Sequence, residues 1–518
     1  MPRRQNESPL LIIAFDAGDS HFIQQGVRDG TLPNLAGIMR QGSWGLVSDS
    51  PLSCEFGQWR TLLSGIPREE HGYYYFRQLR SGTYDLYPVS HATTKIVPFW
   101  AALRGTGKTV AIIDAPECAP LAGLDGVQLS EWSARHLPQR VLPLSAEPPG
   151  FLNEARRVFG RRIRVVDYSP RSTPKEDSRV LGLMLERIDR KGRLCRHLMT
   201  NNRYDLMVIG YFEGHDAGHR FWEYRPDNQV KDPGAAPQLA HGISLVYQAI
   251  DHEIGRLQAA CHQDATIAVV SCYGMAEGFP TAGLIDDFCR MLGYQVLCTP
   301  RRTRNLLDLV RRTVPGNWRH AISERLPVAF QERLLADQLR TCTDWARTRA
   351  FGIPSAFTSF VRVNLRNREP QGAVSPGKDY DDVVDDIAAQ ITALRDAATG
   401  EPAVELVERT GEVIGKPPVD LPDLFIRWKP SRRFLGRLAH PLGEISQRPA
   451  WFHRGSGHSS EGFFAASGPL IVPRGRFDAI DPLAVAPTLL TMMGIQVPPV
   501  MRGKPLGAMF ASGARPES

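Results

Sequence analysis

The chain alternates short, continuous apolar runs with longer amphipathic stretches. Four of the apolar runs have strand length, and they cover residues 10–15, 109–113, 206–212 and 265–270. Such runs are typical of strands buried on both faces, whereas a 3.6-residue periodicity predicts helices. The clearest predicted helices cover residues 174–199 and 238–261. Strands that alternate with helices predict an α/β fold with a doubly wound, mainly parallel sheet.

The pattern changes after about residue 280, where Arg-rich helical pieces lead into an alternating strand at 360–364 and a helix at 379–397. This change predicts a smaller α+β lobe inserted into the sheet domain. We expect residues 1–280 to form the first part of the core, 281–415 the lobe, and 416–518 the C-terminal part of the core.

One apolar run ends in an unusual concentration of polar side chains. The strand predicted up to Phe212 is followed within seven residues by Glu213, His215, Asp216 and His219. Ligands collect at the carboxyl ends of the strands in such sheets. On a helix, His215 and His219 would lie one turn apart on one face and could bind one metal ion. The alternative is an ordinary helix start with two solvated histidines.

Asp16 directly follows the first apolar run. A carboxylate at this place is a candidate for a metal or phosphate site, and it is equally a candidate for the N-cap of the next helix. The sequence alone leaves both interpretations open.

Composition and charge narrow the class of protein. The chain has 518 residues, of which 42% are hydrophobic and 23% charged, and its net charge is +7. Its eight cysteines form no CxxC pair, which indicates reduced thiols in a cytoplasmic protein. No apolar run reaches the length of a membrane span. The positive charge favours a small anionic substrate, and without a long basic run it does not indicate nucleic-acid binding; the sequence does not predict an oligomeric state.

Eight motifs occur in an order that resembles one known family, the type I phosphodiesterase/nucleotide pyrophosphatase branch of the alkaline phosphatase superfamily. The motifs are Phe15–Asp19, Leu32–Leu35, Trp59–Gly65, His219–Trp222, Ser271–Met275, Asp344–Phe351, Gly457–Gly462 and Ala486–Leu490. The resemblance covers nearly the whole chain and implies the alkaline phosphatase-like fold for a divergent member.

The resemblance also implies a metal site. Family members hold two ions, usually zinc, that clamp the attacking and leaving oxygens in phosphoryl transfer. Asp16 matches a ligand of one ion, and His219 and His458 match ligands of the other. His215 stands where the family usually has an aspartate, and imidazole can replace a carboxylate on zinc, manganese or iron. Glu213 or Asp216 could supply an oxygen ligand instead.

Two positions depart from the family pattern. The nucleophile position falls on Glu55, and the nearest hydroxyl and thiol are those of Ser53 and Cys54. Cys272 and Tyr273 stand where the family has an Asp-His pair. A Cys272 thiolate could bind zinc, whereas tyrosine is a poor substitute for histidine. One bound ion is therefore expected, and the site of the second ion lacks two of its usual ligands.

Three functions follow from these residues. The first is a metal-dependent hydrolase of phosphate esters or phosphodiesters, as the resemblance implies. The second is a one-metal enzyme of another class, catalysing a transfer, lyase or other hydrolytic step in a biosynthetic pathway, which the loss of the nucleophile suggests. The third is a non-catalytic binding relative, which the retained histidines disfavour.

Overall fold

The computed structural model describes residues 8–510, apart from residues 55, 90–95, 134–142, 166–171, 229, 282, 299–338, 340–341, 448, 450–454 and 478. None of the helices in these ranges combines the length and the hydropathy of a membrane span.

A nine-stranded sheet forms the centre of the described structure. In spatial order its strands are Gly475–Arg476, Ser43–Val47, Gly462–Ser467, Thr266–Ser271, Leu10–Phe15, Leu206–Tyr211, Thr109–Ile113, Asp125–Ser130 and Ser145–Glu147. The five strands from Thr266–Ser271 to Asp125–Ser130 run parallel. The predicted mainly parallel sheet is thereby confirmed.

Helices cover the sheet, so that its central strands are buried along their whole length. A parallel sheet covered on both faces needs such continuous apolar runs, which is why these strands could be recognised in the sequence. The α-helices of this domain are Ser20–Arg28, Pro33–Gln41, Gln58–Ser64, Arg68–His71, Gly150–Phe159, Pro174–Asn201, Glu213–Phe221, Gly242–Ala260 and Pro482–Met492.

The inserted lobe has its own apolar core. Its four-stranded antiparallel sheet has the order Ala350–Ile353, Ser359–Val363, Leu424–Trp428, Val404–Arg409, and it packs with the helices Leu284–Met291 and Lys378–Thr392. A three-stranded sheet adds Arg395–Asp396, Arg437–His440 and Gly443–Ser446. The lobe's packing therefore extends to residue 446 rather than to 415, because the strand at 424–428 pairs with lobe strands instead of the central sheet.

Two smaller features position the site. An antiparallel ribbon pairs Gly274–Glu277 with Ser456–Ser459 beside the carboxyl end of the sheet. A separate apolar cluster joins the loop at residues 52–54 and the tyrosines at 74 and 75 to Phe360 and Phe425 of the lobe. The loop before the helix Gln58–Ser64 is therefore packed directly against the lobe.

Candidate metal centre

A short helix after a central strand presents two histidines. The strand Leu206–Tyr211 ends at the carboxyl edge of the sheet, and the helix Glu213–Phe221 begins two residues later. Gly214 allows this helix to approach the first strand, since a Cβ atom there would lie 2.2 Å from the Phe15 ring. His215 and His219 are one turn apart, and each is only 1% exposed. The predicted shared face is confirmed, and both imidazoles are nearly sealed from water.

The third histidine comes from the ribbon at the edge of the site. His458 lies opposite Met275 in the ribbon's register. Ser456, two residues earlier on the same strand, places its Oγ 2.8 Å from Nδ1 of His219. Because alternate residues of a strand face the same side, one strand both brings His458 to the cluster and contacts the ring of His219.

The three imidazoles converge. One nitrogen from each of His215, His219 and His458 lies within 4.8 Å of the other two. The Nε2 atoms of His215 and His458 are 3.2 Å apart. Two nitrogens bound tetrahedrally to one zinc ion, each at 2.0–2.1 Å, lie about 3.3 Å apart. The donor set therefore suits one transition-metal ion held by three nitrogens, and the spacing of His215 and His458 matches that geometry.

Asp16 stands where the family resemblance implies a ligand of a second ion, but its carboxylate accepts hydrogen bonds from neighbouring side chains. Its Oδ1 accepts hydrogen bonds from Trp59 Nε1 and from the Tyr273 hydroxyl, both at 2.7 Å. Its Oδ2 lies 3.0 Å from His215 Nδ1. A carboxylate behind a ligating histidine fixes the ring and raises its basicity. The geometry thus gives Asp16 the position of a residue that orients His215.

Cys272 is also poorly suited to bind an ion. Its side chain is buried, and burial together with the negative charges of Asp16 and Glu117 raises the pKa of the thiol well above its ordinary value. Within the described ranges, the ligand atoms of Asp16 and Cys272 belong to no cluster of three that could hold an ion. With Tyr273 in the place of a histidine, these residues do not fit a second ion.

Glu213 and Asp216 do not join the histidines, contrary to the possibility that one of them supplies an oxygen ligand. Their carboxylates form ion pairs of 2.8 and 2.9 Å with Arg187, and all three side chains are fully buried. Positions 213 and 216 are three residues apart and share a face, which explains why one arginine pairs with both carboxylates.

The loop at the expected nucleophile position presents one hydroxyl. Ser53 is buried, and its Oγ accepts a hydrogen bond of 2.8 Å from Gln58 Nε2. The Cys54 thiol instead donates to the carbonyl oxygen of Tyr74 at 3.1 Å. Glu55 lies outside the described residues.

A cavity of about 220 Å³ lies between this loop, His458 and the lobe. The core contributes Ser53, Cys54, Gln58 and His458 to its lining, and the lobe contributes residues on both sides of Trp428. A ligand in this cavity would reach His458 and Ser53 together, and the lobe would contact its remaining part.

Sequence reasoning missed three residues that shape the centre: Arg187, Trp59 and Tyr273. Arg187 could have been found from the helical pattern, because it lies three residues after Met184 and seven before Leu194, on the buried face of the same helix. Trp59 and Tyr273 give no such signal, since neither side chain is a usual metal ligand. Their hydrogen bonds to Asp16 emerge only from the fold.

Neither a family model nor a curated protein matches the chain. Among solved structures, phosphonoacetate hydrolase from Sinorhizobium meliloti 1021 in complex with phosphonoformate aligns with a TM-score of 0.52 and 12% identity over 94% of this chain and 96% of the other. Murine ectonucleotide pyrophosphatase/phosphodiesterase 5 in complex with AMP aligns with a TM-score of 0.47 and 12% identity over 95% and 96%. The human protein of the same name aligns with a TM-score of 0.47 and 11% identity over 96% and 97%. The likeness to phosphonoacetate hydrolase shows that the chain has an alkaline phosphatase-like fold.

Proposed function

We propose that this protein is a hydrolase of phosphate esters or phosphodiesters that uses one divalent ion, most suitably zinc, bound by His215, His219 and His458. The observation that carries the proposal is the convergence of three imidazoles from two distant segments, one of which, that of His458, lines the cavity. Zinc with three protein ligands keeps an open coordination position. At that position it would act as a Lewis acid and lower the pKa of bound water.

The chain's own residues support distinct parts of this proposal. Asp16 and Ser456 hold the rings of His215 and His219 by their Nδ1 atoms. This leaves the Nε2 atoms for the ion. Ser53 lines the same cavity as His458, so we propose that its hydroxyl contacts the phosphoryl group. Cys54 is a weaker candidate, because its thiol is engaged by a backbone carbonyl.

The direct experiment is hydrolysis of 4-nitrophenyl phosphate and bis(4-nitrophenyl) phosphate with added Zn²⁺ or Mn²⁺. We expect metal-dependent turnover that His219→Ala abolishes and Ser53→Ala lowers. His197→Ala is the matched control, since His197 is an exposed histidine of the helix Pro174–Asn201. Turnover that is no higher than that of His219→Ala would contradict the proposal.

The hydrogen bonds to Asp16 favour a second candidate, a one-metal enzyme of another reaction class. Two-metal phosphoryl transfer places ions on both the attacking and the leaving oxygen. In this protein Trp59 and Tyr273 donate hydrogen bonds to Asp16, the residue that would bind the second ion. One tightly bound ion per chain without turnover of either nitrophenyl ester would favour this candidate. A purified protein that binds no metal would favour a non-catalytic role.

A further inference from the structure

The charges that line the cavity do not balance. Its acidic residues, Glu277 and Glu405, both have arginine partners. Glu277 Oε1 lies 3.0 Å from Nη2 of Arg225. Glu405 lies 3.9 Å from Arg427, which also pairs with Asp49. Each cavity carboxylate thus has an arginine within 4.0 Å.

Two cations of the lining have no such compensation. Lys429 and Arg433 both line the cavity and are exposed, and within the described ranges neither has a carboxylate within 4.0 Å. The lobe side of the cavity therefore carries excess positive charge where solvent and ligand can enter.

The loop that bears these cations is anchored. The backbone N–H of Lys429 donates to the carbonyl of Ala403 at 2.9 Å, and that of Arg433 donates to Ser431 Oγ at 3.0 Å. Between them, Arg432 lies 3.4 Å from Glu277 and 3.6 Å from Asp227 on the core side. An anchored backbone lowers the entropy cost of holding a charged side chain against a ligand.

The walls and the size of the cavity restrict the ligand further. Phe279, Phe357 and Trp428 provide apolar surface, and Trp428 is fixed by a hydrogen bond of 3.0 Å from its Nε1 to Ser359 Oγ. The volume of about 220 Å³ is below the roughly 300–1,000 Å³ of pockets for drug-sized ligands. A small molecule with an apolar middle fits these walls.

We propose that Lys429 and Arg433 form a second anion subsite, so that the substrate is a small phosphate ester or phosphonate whose other end carries a carboxylate or a similar anionic group. The inference rests on the proposed function, which places the phosphoryl group at the histidines. It adds the chemistry of the substrate's far end, which is read by the lobe.

The test is calorimetric binding of two matched, non-ester probes to the zinc-loaded protein. Phenylphosphonate carries one anionic end, and 4-carboxyphenylphosphonate carries two. We expect the second probe to bind about tenfold more tightly, ~1.4 kcal/mol, from two solvent-accessible charge contacts. The Lys429→Met/Arg433→Met double variant should lose this preference and keep the affinity for phenylphosphonate.

The control is Arg28→Met/Lys504→Met, which removes the same charge from two exposed residues that do not line the cavity. It should retain the preference. Equal binding of both probes to the unmodified protein, or a preference that survives Lys429→Met/Arg433→Met, would overturn the second subsite and leave the proposed function standing. Binding of neither probe to the unmodified zinc-loaded protein would overturn the proposed function and, with it, this inference.

Discussion

Removal of the Tyr273 hydroxyl tests how the metal centre is held. Tyr273→Phe deletes the hydrogen bond of 2.7 Å to Asp16 Oδ1 and the contact of 3.2 Å to His215 Nδ1. It keeps the buried ring. Asp16 would then hold His215 less firmly, although Trp59 still donates to the same oxygen.

The expected magnitude follows from these contacts. Loss of a residue that supports a metal ligand typically costs 10–100-fold in metal affinity. Because Trp59 remains, we expect the lower end, about tenfold, with one ion still bound. The free energy of unfolding should fall by about 1.5–3 kcal/mol, the net value of a hydrogen bond to a charged group.

The assay is competition for zinc with a chromophoric chelator, combined with urea unfolding of the same samples. Tyr211→Phe is the matched control. Tyr211 is equally buried, but its hydroxyl has no hydrogen-bond partner within the described part of the chain. This control should change neither quantity appreciably. An unchanged zinc affinity in Tyr273→Phe, or the binding of a second ion, would refute the role assigned to Asp16.

Three further predictions concern residues around the centre and in the lobe. Cys272→Ser should leave the zinc content unchanged in metal analysis, because Cys272 lies outside the cluster of three imidazoles; loss of the ion would restore Cys272 as a ligand. Glu213→Gln should lower the free energy of unfolding in urea by at most about 3 kcal/mol, because Arg187 keeps its second buried partner, Asp216, and one zinc ion should remain; loss of that ion would contradict the assignment. Burial raises the pKa of Asp286 from 3.8 to about 7, so the native state binds this proton more tightly and stability should fall as pH rises from 4 to 7, by at most ~4 kcal/mol. Asp286→Asn should flatten the dependence of the free energy of unfolding on pH between 4 and 7. An unaltered profile would show that Asp286 is not its source.

Much of the fold could be predicted because burial leaves a direct trace in the sequence. The strand Leu10–Phe15 and the strand Leu206–Tyr211 are covered on both faces, so each reads as an uninterrupted apolar run. The strand at 424–428 falls in the range that the sequence assigned to the core, although it pairs with strands of the lobe. Antiparallel pairing with Ser359–Val363 joins segments about 60 residues apart, and periodicity within one strand carries no information about its neighbour.

The residues of the candidate site could likewise be predicted only in part from the sequence. His215 and His219 could be placed together from helical spacing, and His458 was added through the family resemblance. Helical phase alone would have excluded Glu213, whereas its actual partner Arg187 comes from another helix. The hydrogen bonds from Tyr273 and Trp59 to Asp16 depend on contacts over 257 and 43 residues of sequence. Such contacts follow from the tertiary fold, and no local pattern encodes them.

The central claim is that three imidazoles bind one cation and that hydrogen bonds replace the second. An anomalous-scattering map of zinc-soaked crystals tests both parts at once. One peak within about 2.1 Å of nitrogens of His215, His219 and His458, with none beside Asp16, is the predicted result. A peak beside Asp16, or none among the three histidines, would contradict the account.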